Sequence, residues 1–124
     1  MTHVKHQRMS TEMQDCISDC QECETTCTES IDYCLQLGGK HAEASHIRSL
    51  MDCAEICRTS AGYMLRGSEQ YQSVCATCAE VCDRCEQSCR QFGDDTMMQE
   101  CAEVCRRTAQ SCRQMAGTRL QRAA

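Results

Sequence analysis

The sequence of 124 residues has no proline and no tryptophan, and its aromatics are limited to Tyr33, Tyr63, Tyr71 and Phe92. Without proline, nothing in the chain forces a helix to break from within. The usual core residues are also scarce: five Leu, four Ile, four Val and one Phe. A chain so poor in them resembles one that cannot bury enough apolar surface to fold. No apolar run is long enough to cross a bilayer, so no membrane partner is expected. The opening MTHVKHQRMSTEMQDC lacks an apolar stretch of signal-peptide type, which predicts a cytoplasmic location where thiols stay reduced. Basic residues are scattered and the formal net charge is -5, which argues against nucleic acid as a partner. No phosphate-binding loop, cofactor box, paired catalytic carboxylates or Ser–His–Asp arrangement can be picked out, so an enzyme is not expected.

Sulfur fills the deficit. The chain carries 15 Cys and 8 Met, more than its Leu, Ile, Val and Phe combined. A neutral Cys behaves as a small buried hydrophobe, and Met adds flexible apolar volume. The thiols are also ordered. Residues 75–89 read CATCAEVCDRCEQSC, with cysteines at alternating intervals of three and four. That interval keeps side chains on one face of a helix.

Glycines Gly38-Gly39, Gly67, Gly93 and Gly117 each follow a long helix-forming stretch, as C-terminal caps do. Thr11 with Gln14 and Thr96 with Gln99 fit capping boxes, and Ser68 and Asp95 are further N-cap candidates. These marks predict helices near 11–37, 43–66, 69–92 and 96–116. They define an all-α, antiparallel up-down-up-down four-helix bundle over residues 11–117, with an arm or short helix over 1–10 and a tail over 118–124. Similar cysteine strings in the two halves, Cys20–Cys27 against Cys82–Cys89 and Cys53–Arg58 against Cys101–Arg106, suggest a duplicated hairpin. The first hairpin is longer around its turn, which predicts an overhang on the order of 10 Å holding Cys34, His41 and His46.

Each helix then has a seam. The first carries Cys16, Cys20, Cys23, Cys27 and Cys34; the second His46, Leu50, Cys53, Cys57 and Met64. The third carries Tyr71, Cys75, Cys78, Cys82, Cys85 and Cys89; the fourth Met98, Cys101, Cys105, Cys112 and Met115. Charges occupy the other faces, with Glu80–Arg84, Glu86–Arg90 and Glu103–Arg107 spaced for ion pairs. The expectation is a Cys-lined core.

Space-filling is a poor reason for so many thiols, because Leu or Ala packs without the oxidation risk. A disulfide framework is rare in the cytosol and leaves an odd thiol over. Zinc fits separated CxxC pairs, and each four-thiolate zinc site would leave net charge of about -2 in the core. Iron–sulfur clusters use thiolates on loops that wrap a bulky cluster. A thiol redox protein remains a further alternative. Cu(I) suits the seams best: it is soft, accepts two or three thiolates, and replaces one thiol proton per ion, so filling adds no net charge. A linear S–Cu–S unit spans roughly 4.5 Å, within reach of neighbours on one helix turn. Capacity is then about one ion per cysteine, on the order of 15.

The seams on all four helices resemble those of the bacterial copper storage proteins, cytosolic branch. The resemblance runs from about residue 10 onward. It implies storage and buffering of many Cu(I) ions along a bundle core, and assembly into homotetramers. The family's core-lining cysteines correspond by position to the 15 seam cysteines named above. Ser30, Ser60 and Thr108 stand at seam positions where a thiol could be, which would lower capacity.

The bundle end with the first and third turns offers His41, His46, Met97 and Met98. His46, on its seam seven residues before Cys53, is the candidate for admitting Cu(I), with Met98 as a further ligand. His41 is expected to be merely solvated, and His3 and His6 incidental. Met9, Met13, Met64 and Met115 at the other end form an expected apolar plug. Ile17, Ile56, Val74, Val81 and Val104 flank the seams and would thicken the core or contact another subunit.

Overall fold

The computed structural model describes residues 9–123, and side chains through Gly117. It contains α1 (Thr11–Leu37), α2 (Ala44–Leu65), α3 (Tyr71–Arg90) and α4 (Thr96–Ala123), with a 3₁₀ turn over Gly39–Ala42. The expected arm falls mostly on residues 1–8, outside the described residues. Each helix packs against its two sequence neighbours in a closed ring, α1 against α2 and α4, and α3 against α2 and α4. Cys16 meets Cys112 while Cys27 meets Cys101, so α1 and α4 run in opposite directions. The all-α four-helix bundle is the fold.

Turn chemistry follows the sequence at three of the four glycine sites. Gly38 and Gly39 (φ 74° and 57°), Gly67 (φ 67°) and Gly93 (φ 54°) take the positive φ that glycine adopts at a helix end without a Cβ clash. Gly117 does not: α4 continues through it to Ala123, so it is an interior helical residue. The N-caps shift by one residue from the expected boxes. Ser10, not Thr11, caps α1, its Oγ accepting the Met13 N–H at 3.1 Å. Asp95, not Thr96, caps α4 through Oδ1 and the Met98 N–H at 3.0 Å. Ser68 bonds the Gln70 N–H one step ahead of α3, whose N-cap Gln70 makes no side-chain capping bond.

All fifteen cysteines are buried, and Cys89, the most open of them, is 1% exposed. Leu50, Met64, Met98, Ala102 and Ala109 complete the core. Ile17 and Val104 join it, and Ile56 and Val81 pack partly against it. Ion pairs lie outside this column. Glu86–Arg90 forms as spaced (2.8 Å), but Glu103 takes Arg106 (2.6 Å) instead of Arg107. Arg107 reaches across to Asp19 and Glu22 of α1, tying the two helices together. Such exposed pairs contribute little each, about 0–1 kcal/mol. Burial of the sulfur-rich seams is what holds the bundle.

Candidate metal centre

Helical spacing of three and four puts each seam residue one turn above the last, and antiparallel packing turns the four seams inward. The resulting thiols form a continuous column. At the end bearing the α1 N-terminus, Cys16, Cys75 and Cys112 lie mutually within 4.8 Å, and so do Cys20, Cys57 and Cys78. Next come Cys23, Cys53, Cys57 and Cys82, then Cys23, Cys27, Cys53 and Cys105, then Cys27, Cys85, Cys101 and Cys105, each within the same span. Cys23, Cys27, Cys53, Cys57 and Cys105 thus belong to two sets apiece. Cys89 continues the column beside Cys85 and Cys101, whose hydrogen bonds hold its thiol pKa above the ordinary value.

Nearest sulfurs stand 3.6–4.0 Å apart, for example Cys23–Cys53 at 3.6 Å and Cys27–Cys101 at 3.9 Å. A metal–sulfur bond of about 2.3 Å puts trigonal sulfurs about 4.0 Å apart, tetrahedral ones about 3.8 Å and linear ones about 4.6 Å. The spacing suits three- or four-coordinate ions, and an ion such as Cu(I) that accepts two or three thiolates would use it as shared three-coordinate sites. The linear unit expected from one turn of helix would need the sulfurs to swing apart. All fifteen are free thiols. Among the described residues no Asp, Glu, Lys or Arg is buried, so the column has no counter-charge for an anionic cluster.

The column ends differently at its two mouths. At the α1 N-terminal end, Met64 and Met115 are buried and Met9, Met13 and Tyr71 pack partly over them. Met64 Sδ lies 3.8 Å from Cys75 Sγ, so the apolar plug touches the thiols directly. At the other end Cys34 stands apart from the thiol sets, one turn past the buried Ser30. Its Sγ lies 3.4 Å from His46 Nε2 and 3.8 Å from Met98 Sδ. His46 and Met98 are thus brought to one sulfur. Burial, then the nearby Asp95 carboxylate, pushes the Cys34 thiol up to about 11. Burial, then His41, lowers the His46 pKa, which keeps its imidazole neutral and able to ligate. His46 Nδ1 sits 2.6 Å from Ser88 Oγ. With the proton on Nδ1 and donated to Ser88, Nε2 keeps its lone pair toward Cys34.

Three features of this mouth escape the sequence reading. Phe92 lies over His46 with ring centroids 4.7 Å apart. His41, expected to be solvated, stacks on Phe92 at 4.1 Å and bonds Asp95 Oδ2 at 3.0 Å. Tyr33 donates to the same Asp95 oxygen at 2.7 Å. The 3₁₀ turn therefore folds back onto the α3–α4 turn, and the expected overhang does not project freely. Burial opposes ionisation of Asp95, but Tyr33, the Met98 N–H and His41 hold its carboxyl below the usual carboxylate range.

Fold and core together define a class: a helical bundle whose interior is a column of soft sulfur donors. The chain belongs to the copper storage protein family, which it matches over residues 9–117. It is similar to the Nmul_A1745 protein of Nitrosospira multiformis (46% identity, 86% of this chain and 96% of that one, TM-score 0.82). It is also similar to the Cu(I)-bound copper storage protein BsCsp3 of Bacillus subtilis (31% identity, 86% and 99% covered, TM-score 0.79). A third similar structure is a cytosolic copper storage protein from Streptomyces lividans, described during copper loading with five coppers (31% identity, 86% and 92% covered, TM-score 0.73).

Proposed function

We propose that this chain stores and buffers many Cu(I) ions in its core, as non-enzymatic cargo. The observation that carries the reading is the unbroken run of buried thiols spaced for shared three-coordinate ions. Each ion displaces one thiol proton, so the neutral core stays neutral as it fills. The donors are the fifteen cysteines, with His46 and Met98 completing Cys34 at the turn end. With each thiolate bridging two ions, capacity is about one ion per thiol if each ion takes two thiolates and about two ions for every three thiols if each takes three.

Copper passes in and out at the mouth held by Cys34, His46 and Met98. Among the described residues the plug at the other end offers thioethers but no imidazole. Residues 11–117 form the storage unit, flanked by the 1–10 arm and 118–124 tail. A homotetramer is supported by family resemblance and by Leu35 of α1 and Met51 and Leu65 of α2, which leave about half of their surface exposed. A cytoplasmic site of action is supported by the description of the Streptomyces lividans relative as cytosolic. No helix among the described residues is long and apolar enough to cross a membrane.

Anaerobic titration of the reduced protein with Cu(I) against a competing chelator tests the reading. Saturation at about ten to fifteen ions per chain is expected, from three- to two-coordinate copper on bridging thiolates. Saturation at about three or four would return the assignment to zinc or an iron–sulfur cluster.

A further inference from the structure

The core selects guests by charge. Its only buried polar side chains are Ser30, His46, Ser60, Gln72 and Thr108, among the described residues. With no buried ionic partner, a guest is cheap to house when its charge equals the number of thiol protons it displaces. A divalent ion on four thiolates fails this condition by two charges. A trivalent, three-coordinate metalloid meets it as fully as Cu(I) does.

The column holds two places with the matching coordination number. Cys16, Cys75 and Cys112 form one set of three, and Cys20, Cys57 and Cys78 form another; they share no member, although Cys112 lies 3.7 Å from Cys20 and Cys57 also belongs to the next, four-sulfur set. Within them Cys16–Cys112 is 3.6 Å and Cys57–Cys78 is 3.7 Å. The remaining sets have four mutually close sulfurs each, so a three-coordinate guest there would strand a fourth sulfur against it, whereas Cys82 adjoins Cys57 and Cys78 of the second set, at 3.7 and 3.9 Å, without joining Cys20. The first set also borders the thioethers of the plug through Cys75 and Met64, an apolar wall suited to an atom with an outward lone pair.

We propose that these two three-thiol sets bind trivalent arsenic, taken up as arsenite. The exchange is As(OH)₃ + 3 RSH → As(SR)₃ + 3 H₂O. Three As–O bonds break, three As–S bonds form, and the three thiol protons leave in the released water. Arsenic stays trivalent and no oxidant or reductant is needed. Arsenous acid is uncharged at neutral pH and the product is uncharged, so no charge has to enter the column at any stage. The inference needs the same buried thiols as copper storage but does not rest on copper being the physiological cargo.

The test uses the full, reduced chain titrated with sodium arsenite under anaerobic conditions. Bound arsenic is counted by intact-protein mass spectrometry, and its neighbours are identified by arsenic X-ray absorption. Two arsenic atoms per chain are expected, each with three sulfur neighbours and no oxygen. Cys112→Ser and Cys78→Ser should each lose one, and the double variant both. Cys112→Ala serves as a second variant should the serine disturb folding, and wild type filled beforehand with Cu(I) should take up none. Unchanged uptake in the double variant, retained arsenic–oxygen bonds, or uptake undiminished by prior Cu(I) would overturn the proposal. A Cu(I) titration of the same sample separates that failure from failure of the storage reading.

Discussion

Ser30 and Ser60 interrupt their seams in full burial, and neither hydroxyl has a hydrogen-bond partner in the structure. A buried, unpaired hydroxyl costs about 1–3 kcal/mol. Ser30→Cys removes that cost and puts an apolar thiol in its place. Sulfur is larger than oxygen, and tighter packing takes back part of the gain. We expect a net stabilisation of about 1 kcal/mol. For a chain of 124 residues, an unfolding entropy of about 2.1 cal/mol/K per residue makes this roughly 4 °C in midpoint. Thr108 supplies the control, being equally buried but bonded to Val104 O at 2.8 Å and Asp19 O at 3.2 Å. Thr108→Cys discards those bonds and should lose about 1 kcal/mol. Thermal unfolding of the reduced apo proteins reads both signs. Cu(I) titration reads a second consequence: Ser30→Cys joins Cys34 to the column and should raise capacity by at least one ion. A lower midpoint for Ser30→Cys, or an unchanged capacity, refutes the reasoning.

Further outcomes follow at the mouth and with pH. His46→Ala should slow Cu(I) transfer to a chelator without abolishing capacity, whereas Phe92→Ala, which uncovers His46, should speed it; stopped-flow transfer kinetics that match wild type in both would remove the mouth assignment. The folded Cys34 pKa of about 11 lies above its ordinary 9.0, so its contribution to apo stability is complete below pH 9.0 and is lost as pH rises through about 11. Urea midpoints across that window should fall for wild type, and less for Cys34→Ala. Asp95 shifts the other way: its contribution is present above the ordinary carboxylate pKa and is lost as pH falls through the lowered folded value. Asp95→Ala also removes a helix cap, so it should cost about 1–2 kcal/mol at pH 7 and less in acid, measured by urea unfolding.

The sequence makes the column legible because helical periodicity is local. Intervals of three and four place Cys75 through Cys89 on one face whatever surrounds them, and that face had to be buried for want of other apolar residues. The same logic exposes Ser30, Ser60 and Thr108 as interruptions. The mouth is different. Tyr33, His41, Phe92 and Asp95 meet because two separate turns fold onto each other, and no spacing along the chain encodes that contact. Gly117 misleads for a related reason: glycine permits a helix end but does not impose one, and here α4 continues through it. The cap shifts to Ser10 and Asp95 reflect competition between adjacent residues that all carry capping side chains.

Cys23, Cys27, Cys53, Cys57 and Cys105 each serve two neighbouring sets. An ion held there can gain a bond to the next group before releasing one behind it. Travel along the axis then proceeds by partner exchange, as on a ladder with no missing rung between Cys20 and Cys101. Cargo deep in the bundle need never pass through a bare, unligated state on its way to the rim.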